Sequence, residues 1–318
     1  MDRAPGRAVT SWPRLDYLAD AGTIETLHLV LQLVGKLPVR LHPWINHGWH
    51  VALRMTPRGA VTRPLPCGTR HFTAEVDFHD AEVRIACDDG AQEDVPLAGR
   101  TIAEIHRDLA ALLARLGLPA PLHGAPNEMP DPVRFAEDHR PREWDADAAR
   151  RLHGAFLCAD RNFNAFRATY RGKTSPSHLF WGSFDLAVTR FSGREAPPHP
   201  GGVPHLPDAV TREAYSHEVI SAGFWPGNGG YGEAAFYAYA YPVPEGLADR
   251  VVEPGSAAWD GKLGEFVLPY AAVRDADEPD AEVQRFLAST FAAAAPLLDW
   301  PAGLTIADGP AYGHPPRA

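Results

Sequence analysis

Apolar positions along the chain switch between two periods, and the switch separates helices from strands. Between Thr23 and Lys36 the residues Ile24, Leu27, Leu31 and Val34 recur at helical spacing, with Thr23 placed to cap the first turn. From Trp49 to Met55 the pattern alternates, so Trp49, Val51, Leu53 and Met55 share one face of an expected strand. Clearer alternation over His71 to His79 sets Phe72, Ala74, Val76 and Phe78 on one face. Glu82 to Cys87 answers it across a turn at Asp80-Ala81, and Glu93 to Leu97 reads as a further strand. Thr101-x-x-Glu104 is a capping box ahead of Ile105, Leu109, Leu112 and Leu116, and Gly117 with Pro119 ends that helix.

From Pro119 the chain is crowded with prolines and charges and loses its period, which marks residues 119–145 as an extended linker packed along the surface. The second half then repeats the order of the first. Ala146 to Lys173 reads as a helix whose apolar face is Leu152, Phe156, Phe163, Phe166 and Tyr170. Strands are expected at Phe184 to Phe191, Ala214 to Phe224, Ala235 to Tyr241 and Glu265 to Pro269, and a helix at Asp280 to Leu298. Residues 301–318 read as a tail without order. The expected class is therefore α+β, with two pseudo-repeated halves (1–118 and 146–300), each an antiparallel-rich sheet flanked by helices.

Individual residues echo between the halves as well. Gly35-Lys36 and Gly172-Lys173 both end a long helix, His42 and His178 follow, and Trp44 and Trp181 come next. Aligned in this way, Trp49-His50-Val51-Ala52-Leu53 matches Phe184-Asp185-Leu186-Ala187-Val188 in phase, and His50 becomes the counterpart of Asp185.

Composition narrows the partners. A formal charge of −10, with Lys and Arg scattered, argues against a nucleic-acid partner. No stretch approaches the roughly 20 apolar residues of a membrane span, and Met1 to Arg7 is followed by no signal-peptide core, so the expected setting is the cytoplasm. Cys67, Cys87 and Cys158 are an odd set without C-x-x-C spacing and read as buried thiols.

Candidate chemistry gathers at two places. His42, His47 and His50 fall within nine residues, and imidazole suits Zn, Fe, Cu and Ni. On a strand His47 and His50 face opposite sides, so they converge only if Asn46-His47-Gly48 forms a turn or bulge; otherwise His50 is a hydrogen-bonded core residue. In the second half, Ser216-His217-Glu218 opens an apolar strand, where ionisable groups are costly unless paired or ligating. Asp185 lies between bulky apolar neighbours and must be paired with Arg190 or Arg194, bound to a metal, or protonated. Histidines 199 and 205 sit in a Pro/Gly loop and are expected at the surface. Tyr237, Tyr239 and Tyr241 share one strand face, either as packing surface or as the wall of an aromatic pocket. Asn228-Gly229-Gly230-Tyr231-Gly232 lacks dinucleotide-loop spacing and reads as a mobile loop, and neither H-E-x-x-H nor G-x-S-x-G occurs.

Three of these stretches carry a family resemblance. Asn46-His47-Gly48-Trp49-His50-Val51, the run Phe180-Trp181-Gly182-Ser183-Phe184-Asp185-Leu186-Ala187-Val188-Thr189-Arg190-Phe191, and Tyr215-Ser216-His217-Glu218 with Gly223-Phe224-Trp225-Pro226-Gly227 resemble the DUF5996 family, a bacterial family of unknown function. The resemblance spans nearly the whole chain and implies no established activity or catalytic residue. The leading expectation is a metal-dependent enzyme acting on a small organic molecule at a site between the halves. His47, His50, His178 and His217 would ligate a divalent ion (Zn or Fe), and Asp185, Glu218 and Arg190 would serve catalysis. The alternatives are a non-catalytic small-molecule-binding or accessory protein, and a metal-free acid–base enzyme using the same residues.

Overall fold

In the computed structural model, residues 12–122, 124–227 and 231–306 are described. The first half opens with α1 (Tyr17–Leu41). It continues through β1 (Arg54–Met55), β2 (Gly59–Val61), β3 (Leu65–Cys67), β4 (Arg70–Asp77), β5 (Glu82–Cys87) and β6 (Gln92–Pro96), and closes with α2 (Ile102–Arg115). The second half follows the same plan. It runs through α3 (Ala146–Ala168), β7 (His178–Phe180), β8 (Asp185–Glu195), α4 (Asp208–Ala214), β9 (His217–Trp225) and β10 (Ala235–Tyr241). It ends with β11 (Ala258–Asp260), β12 (Glu265–Pro269), α5 (Tyr270–Arg274) and α6 (Pro279–Ala294). Each half is thus a long helix, a six-stranded antiparallel sheet and a closing helix, and the fold is α+β.

Local chemistry explains where the helices begin. Asp16 accepts a hydrogen bond from the Ala19 N–H, so α1 starts six residues before Thr23, which is buried inside the helix instead of capping it. The expected capping box forms at α2: the Glu104 N–H donates to Thr101 Oγ1 and the Thr101 N–H donates to Glu104 Oε2. Ile102, Ile105, Leu109, Leu112 and Leu113 then point into the core, each contributing about 1.5–3 kcal/mol by leaving water.

The first sheet has the order β1-β2-β4-β5-β6 with β3 on the far end of β4, and the second runs β11-β12-β10-β9-β8-β7. They touch where Leu53 and Leu179 exchange backbone hydrogen bonds of 2.9 and 2.8 Å. Two expectations need correction here. Trp49 to Leu53 is not a strand: Asn46–Gly48 is a 3-10 turn, with His47 at φ 61° and Gly48 at φ 71°, and extended pairing begins only at Leu53. His50 therefore lies in a turn and Asp185 on a strand, so the two are not counterparts, although the order of elements repeats.

Alternation gives the second sheet two different faces. Leu186, Val188, Phe224 and Phe236 face α3 and α6, with Phe156 and Phe224 rings 5.3 Å apart and edge-to-face. Asp185, Ala187 and Thr189 of β8, Ser221 and Trp225 of β9, and Tyr237 and Tyr239 of β10 occupy the other face. Among the described residues no helix packs flat on it. The segment 119–145 is irregular apart from a 3-10 turn at Phe135–Glu137, yet Leu122 and Phe135 are buried, and Arg140 and Arg142 clamp the buried Asp138. Of the expected tail, Thr305 pairs with Tyr170, and residues 307–318 lie outside the described residues, as do 228–230 of the expected mobile loop. Cys158 is buried and Cys67 and Cys87 are half-buried; all three are free. Among the described residues no helix is long and apolar enough to cross a membrane.

Candidate active site

The open face of the second sheet floors a cavity of about 780 Å³. Its walls come from both halves: Trp44, Trp49 and His50 from the turn after α1, Asn127 and Glu128 from the irregular segment, and Val210 with Tyr215 from α4 and the residue after it.

Three lining or flanking positions hold strained backbone. His47 (φ 61°), Glu128 (φ 59°) and Phe184 (φ 59°) lie in the left-handed region, which costs non-glycine residues about 1–3 kcal/mol each. Packing holds Phe184 there, stacked on His28 at 5.2 Å and against Phe156 at 5.6 Å. The strained peptide delivers the next residue, Asp185, into the cavity floor.

Asp185 is buried and accepts hydrogen bonds from the Ser183 hydroxyl and the Tyr237 hydroxyl. The second bond spans two strand spacings. Tyr237 on β10 is paired with Gly223 on β9, which is paired in turn with Ala187 on β8. A Cβ at Gly223 would overlap the tyrosine ring, so glycine is what lets the ring lie across β9 and reach Asp185. Burial raises the Asp185 carboxyl above its ordinary value against the lowering pull of these hydroxyls. Burial, then the Asp185 charge, raises Tyr237 well above the usual tyrosine range, so it remains a neutral donor. Beside this pair the Tyr215 and Tyr239 hydroxyls bond at 2.9 Å, and Thr189 meets Ser221 at 2.8 Å.

Two further carboxyls face the same space. Burial pushes Glu128 up to about 7, and the Asp185 charge adds to the rise while Lys36 opposes it. Burial pushes Glu265 up to about 8, followed by the charges of Asp185 and Asp260. Among the described residues neither carboxyl accepts a hydrogen bond. Gly182 makes room for Glu128, since a Cβ there would collide with its carboxylate. Lys36 on α1 bonds to the Asn127 side chain and sits 5.0 Å from the Trp181 ring centre, and burial lowers it to about 8. Carboxyls that titrate near neutrality are suited to giving and taking protons.

The residues expected at the site are dispersed differently. Asp185 is on the floor, and His47 and His50 line the wall. His47 is held on three sides: its N–H donates to Glu213 at 2.7 Å, its Nδ1–H donates to the Ala214 carbonyl at 3.1 Å, and its Nε2 accepts from Lys173 at 2.7 Å. Burial and then Lys173 lower its pKa. His50 accepts from the Ile45 N–H at 3.3 Å. The His217 ring lies 5.7 Å from that of His47. His178 is buried against Trp49 and Phe180, and burial followed by the charge of Arg167 drives it down to about 3. The remaining two point away. Arg190 is five residues from Asp185 and so emerges on the opposite face of β8. There it donates to the Phe166 carbonyl at 2.5 Å and to Thr169 at 2.7 Å, and lies 3.4 Å from the Phe166 ring centre. Glu218 likewise leaves the cavity face of β9 and pairs with Arg194 at 2.9 Å.

This donor set does not fit a divalent ion. Both ring nitrogens of His47 are engaged, one of them by a lysine, and His178 is buried behind Trp49 and Phe180 and does not line the cavity. Among the described residues the group of three potential ligands within 4.8 Å is Asp77, Asp80 and Glu82, in the first half. Arg58 and Arg84 already pair with those acids.

Sequence reasoning missed Glu128, Glu265, Tyr215 and Trp225 as lining residues. Glu265 had a usable signal, since it shares the β12 face of Val267, the partner of Tyr237. Glu128 had none, being set in a stretch without period.

Fold and site together define an α+β protein of two helix–sheet–helix halves with an acid- and tyrosine-lined cavity. Residues 12–305 match the model of DUF5996, a family of unknown function, and the chain belongs to that family. No curated protein and no solved structure matches it.

Proposed function

We propose that the chain takes a small organic molecule into the 780 Å³ cavity and acts on it by proton transfer. Glu128 and Glu265 are the exchanging groups, and the Asp185–Tyr237 pair is the fixed anchor. The observation that carries the reading is the pair of cavity-facing carboxyls, buried enough to titrate near 7 and 8 and bonded to no described residue. A carboxyl with a role in packing alone would be paired, as Asp77 is with Arg58 and Asp138 is with Arg140 and Arg142. The size of the cavity suits a compact ligand, and its largely apolar lining suits an organic one.

The test is a fragment screen by ligand-observed NMR on the full chain and on Ala187→Trp, which fills the floor. Fragments should bind the native protein and lose binding in Ala187→Trp. Those that turn over or exchange deuterium should stop doing so in Glu128→Gln and Glu265→Gln. Equal binding to Ala187→Trp would contradict the reading.

A further inference from the structure

We propose that the ligand is an organic amine: a primary or secondary ammonium group on an apolar, ring-sized body. The inference rests on the small-molecule reading of the cavity and names the ligand class. It stands first on what the lining contains and lacks. Asp185, Glu128 and Glu265 face one space, and among its described lining residues there is no lysine or arginine. The nearest cations are held elsewhere: Lys36 is bonded to Asn127 against Trp181, and Lys173 donates to His47.

The second support is aromatic and independent of the acids. Trp225 stacks on Tyr237 at 4.9 Å and 25°, and Tyr237 on Tyr239 at 6.0 Å and 15°, so one wall is a ladder of rings. Their combined area buries the apolar body of a ligand. An anionic ligand would meet three carboxyls, offset only in part by Lys36 beside Glu128. The third support selects among cations. Glu128 and Glu265 accept no hydrogen bond from a described residue, so a ligand bearing N–H donors satisfies them and a quaternary ammonium does not.

Proton coupling follows. A bound ammonium favours ionised Glu128 and Glu265, so binding releases protons near neutrality and strengthens as pH rises from about 5 to about 8. Other titratable groups face these acids. Lys36 on α1 and Asp260 on β11 flank them, and the phenols of Tyr215, Tyr237 and Tyr239 lie across the floor. At the rim stand His47, Lys173 and Glu213. The phenols are raised above 10 and stay neutral across this window, so the change belongs to the carboxyls, with Asp185, raised by burial, beside the glutamates.

The experiment uses the full chain and four probes of one shape: phenethylamine, its N-trimethyl analogue, phenethyl alcohol and phenylpropionate. Affinities are read by calorimetry at acidic and mildly alkaline pH. Phenethylamine should bind on the order of tenfold tighter than the alcohol at the higher pH and lose that advantage at the lower. The trimethyl analogue should bind more weakly than phenethylamine, and phenylpropionate least. Asp185→Asn and Glu265→Gln should each cut amine affinity about tenfold with near-UV circular dichroism unchanged. Glu265→Gln serves should Asp185→Asn fail to fold. An alcohol as tight as the amine would overturn the ligand class and leave the cavity reading standing. A trimethyl analogue as tight as phenethylamine would overturn the N–H requirement. Amine binding indifferent to both substitutions would place it elsewhere and overturn the proposal, and no binding by any probe would remove the small-molecule reading too.

Discussion

Two clusters of acids, one in each half, show how partners decide the state of a buried carboxyl. In the first half Asp77 is fully buried at the end of β4, beside Asp80 and Glu82. Burial alone would raise it, but N–H groups of Asp80 and His79 and the guanidinium of Arg58 at 2.8 Å together hold it below the ordinary carboxylate range. In the second half Asp185 is almost as buried and meets two hydroxyls and its own backbone N–H, with no guanidinium against it among the described residues, while Glu128 and Glu265 meet no donor among them. Their carboxyls go up instead of down. The first cluster is complete as it stands and closes a turn. The second is open, and its openness toward a cavity is what marks it as a site.

The largest expected effect separates the two aspartates directly. Asp77→Ala leaves the buried N–H groups of His79 and Asp80 without their acceptor, although Arg58 keeps Asp80, and should cost about 3 kcal/mol of stability. Asp185→Asn keeps an acceptor for Tyr237 and removes an unfavourable buried charge, so it should cost less than about 1 kcal/mol. Urea unfolding of both variants checks this, and equal losses would erase the distinction.

Gly223→Val comes next. The added side chain overlaps the Tyr237 ring and drives the hydroxyl off Asp185. Overpacking of this kind costs about 1–3 kcal/mol, and the Tyr237 signal should lose its coupling to the Asp185 titration in NMR.

A third prediction concerns pH. Glu128 and Glu265 have folded pKa values above their unfolded ones, so their contribution is fully present below about 4.5 and is lost as pH rises through about 7 to 8. Asp77 has the opposite sign, its contribution being present above the ordinary aspartate value and lost as pH falls through its depressed folded value. Stability of the ligand-free protein should therefore decline between about pH 5 and 8, and Glu128→Gln with Glu265→Gln should flatten that limb while leaving the acid limb unchanged.

The strands of the second sheet were legible where alternation was unbroken. Ala235–Tyr241 and Glu265–Pro269 lie where their patterns place them, and the tyrosines of β10 do line a cavity. The same alternation at Trp49 to Met55 misleads, because left-handed His47 and Gly48 fold those residues into turns that bury His50, Ala52 and Leu53 and leave Trp49 and Val51 partly exposed. Asp185 was recognisable from its apolar neighbours. Arg190 and Glu218 looked equally out of place in their strands, but their burial is relieved on the far faces, by carbonyl and aromatic contacts for one and by Arg194 for the other. Glu128 depends on a contact between an irregular segment and Gly182, a tertiary fact without a local pattern.

The smallest expected effect follows from that difference. Glu218→Gln loses a partly exposed ion pair and should change stability by less than about 1 kcal/mol, with no effect on ligands bound in the cavity. Thermal melts and the probe titrations check both halves of the statement.

Glu128 and Glu265 make the cavity a site only if they are held near neutrality. Carboxyl carbon NMR of glutamate-labelled protein, titrated without ligand and assigned with Glu128→Gln and Glu265→Gln, reads this directly. The expected result is two glutamates with midpoints near 7 and 8, both moving down when phenethylamine is added. If those two signals titrate below about 5, in the ordinary glutamate range, the cavity holds ionised, solvated acids and the account is contradicted.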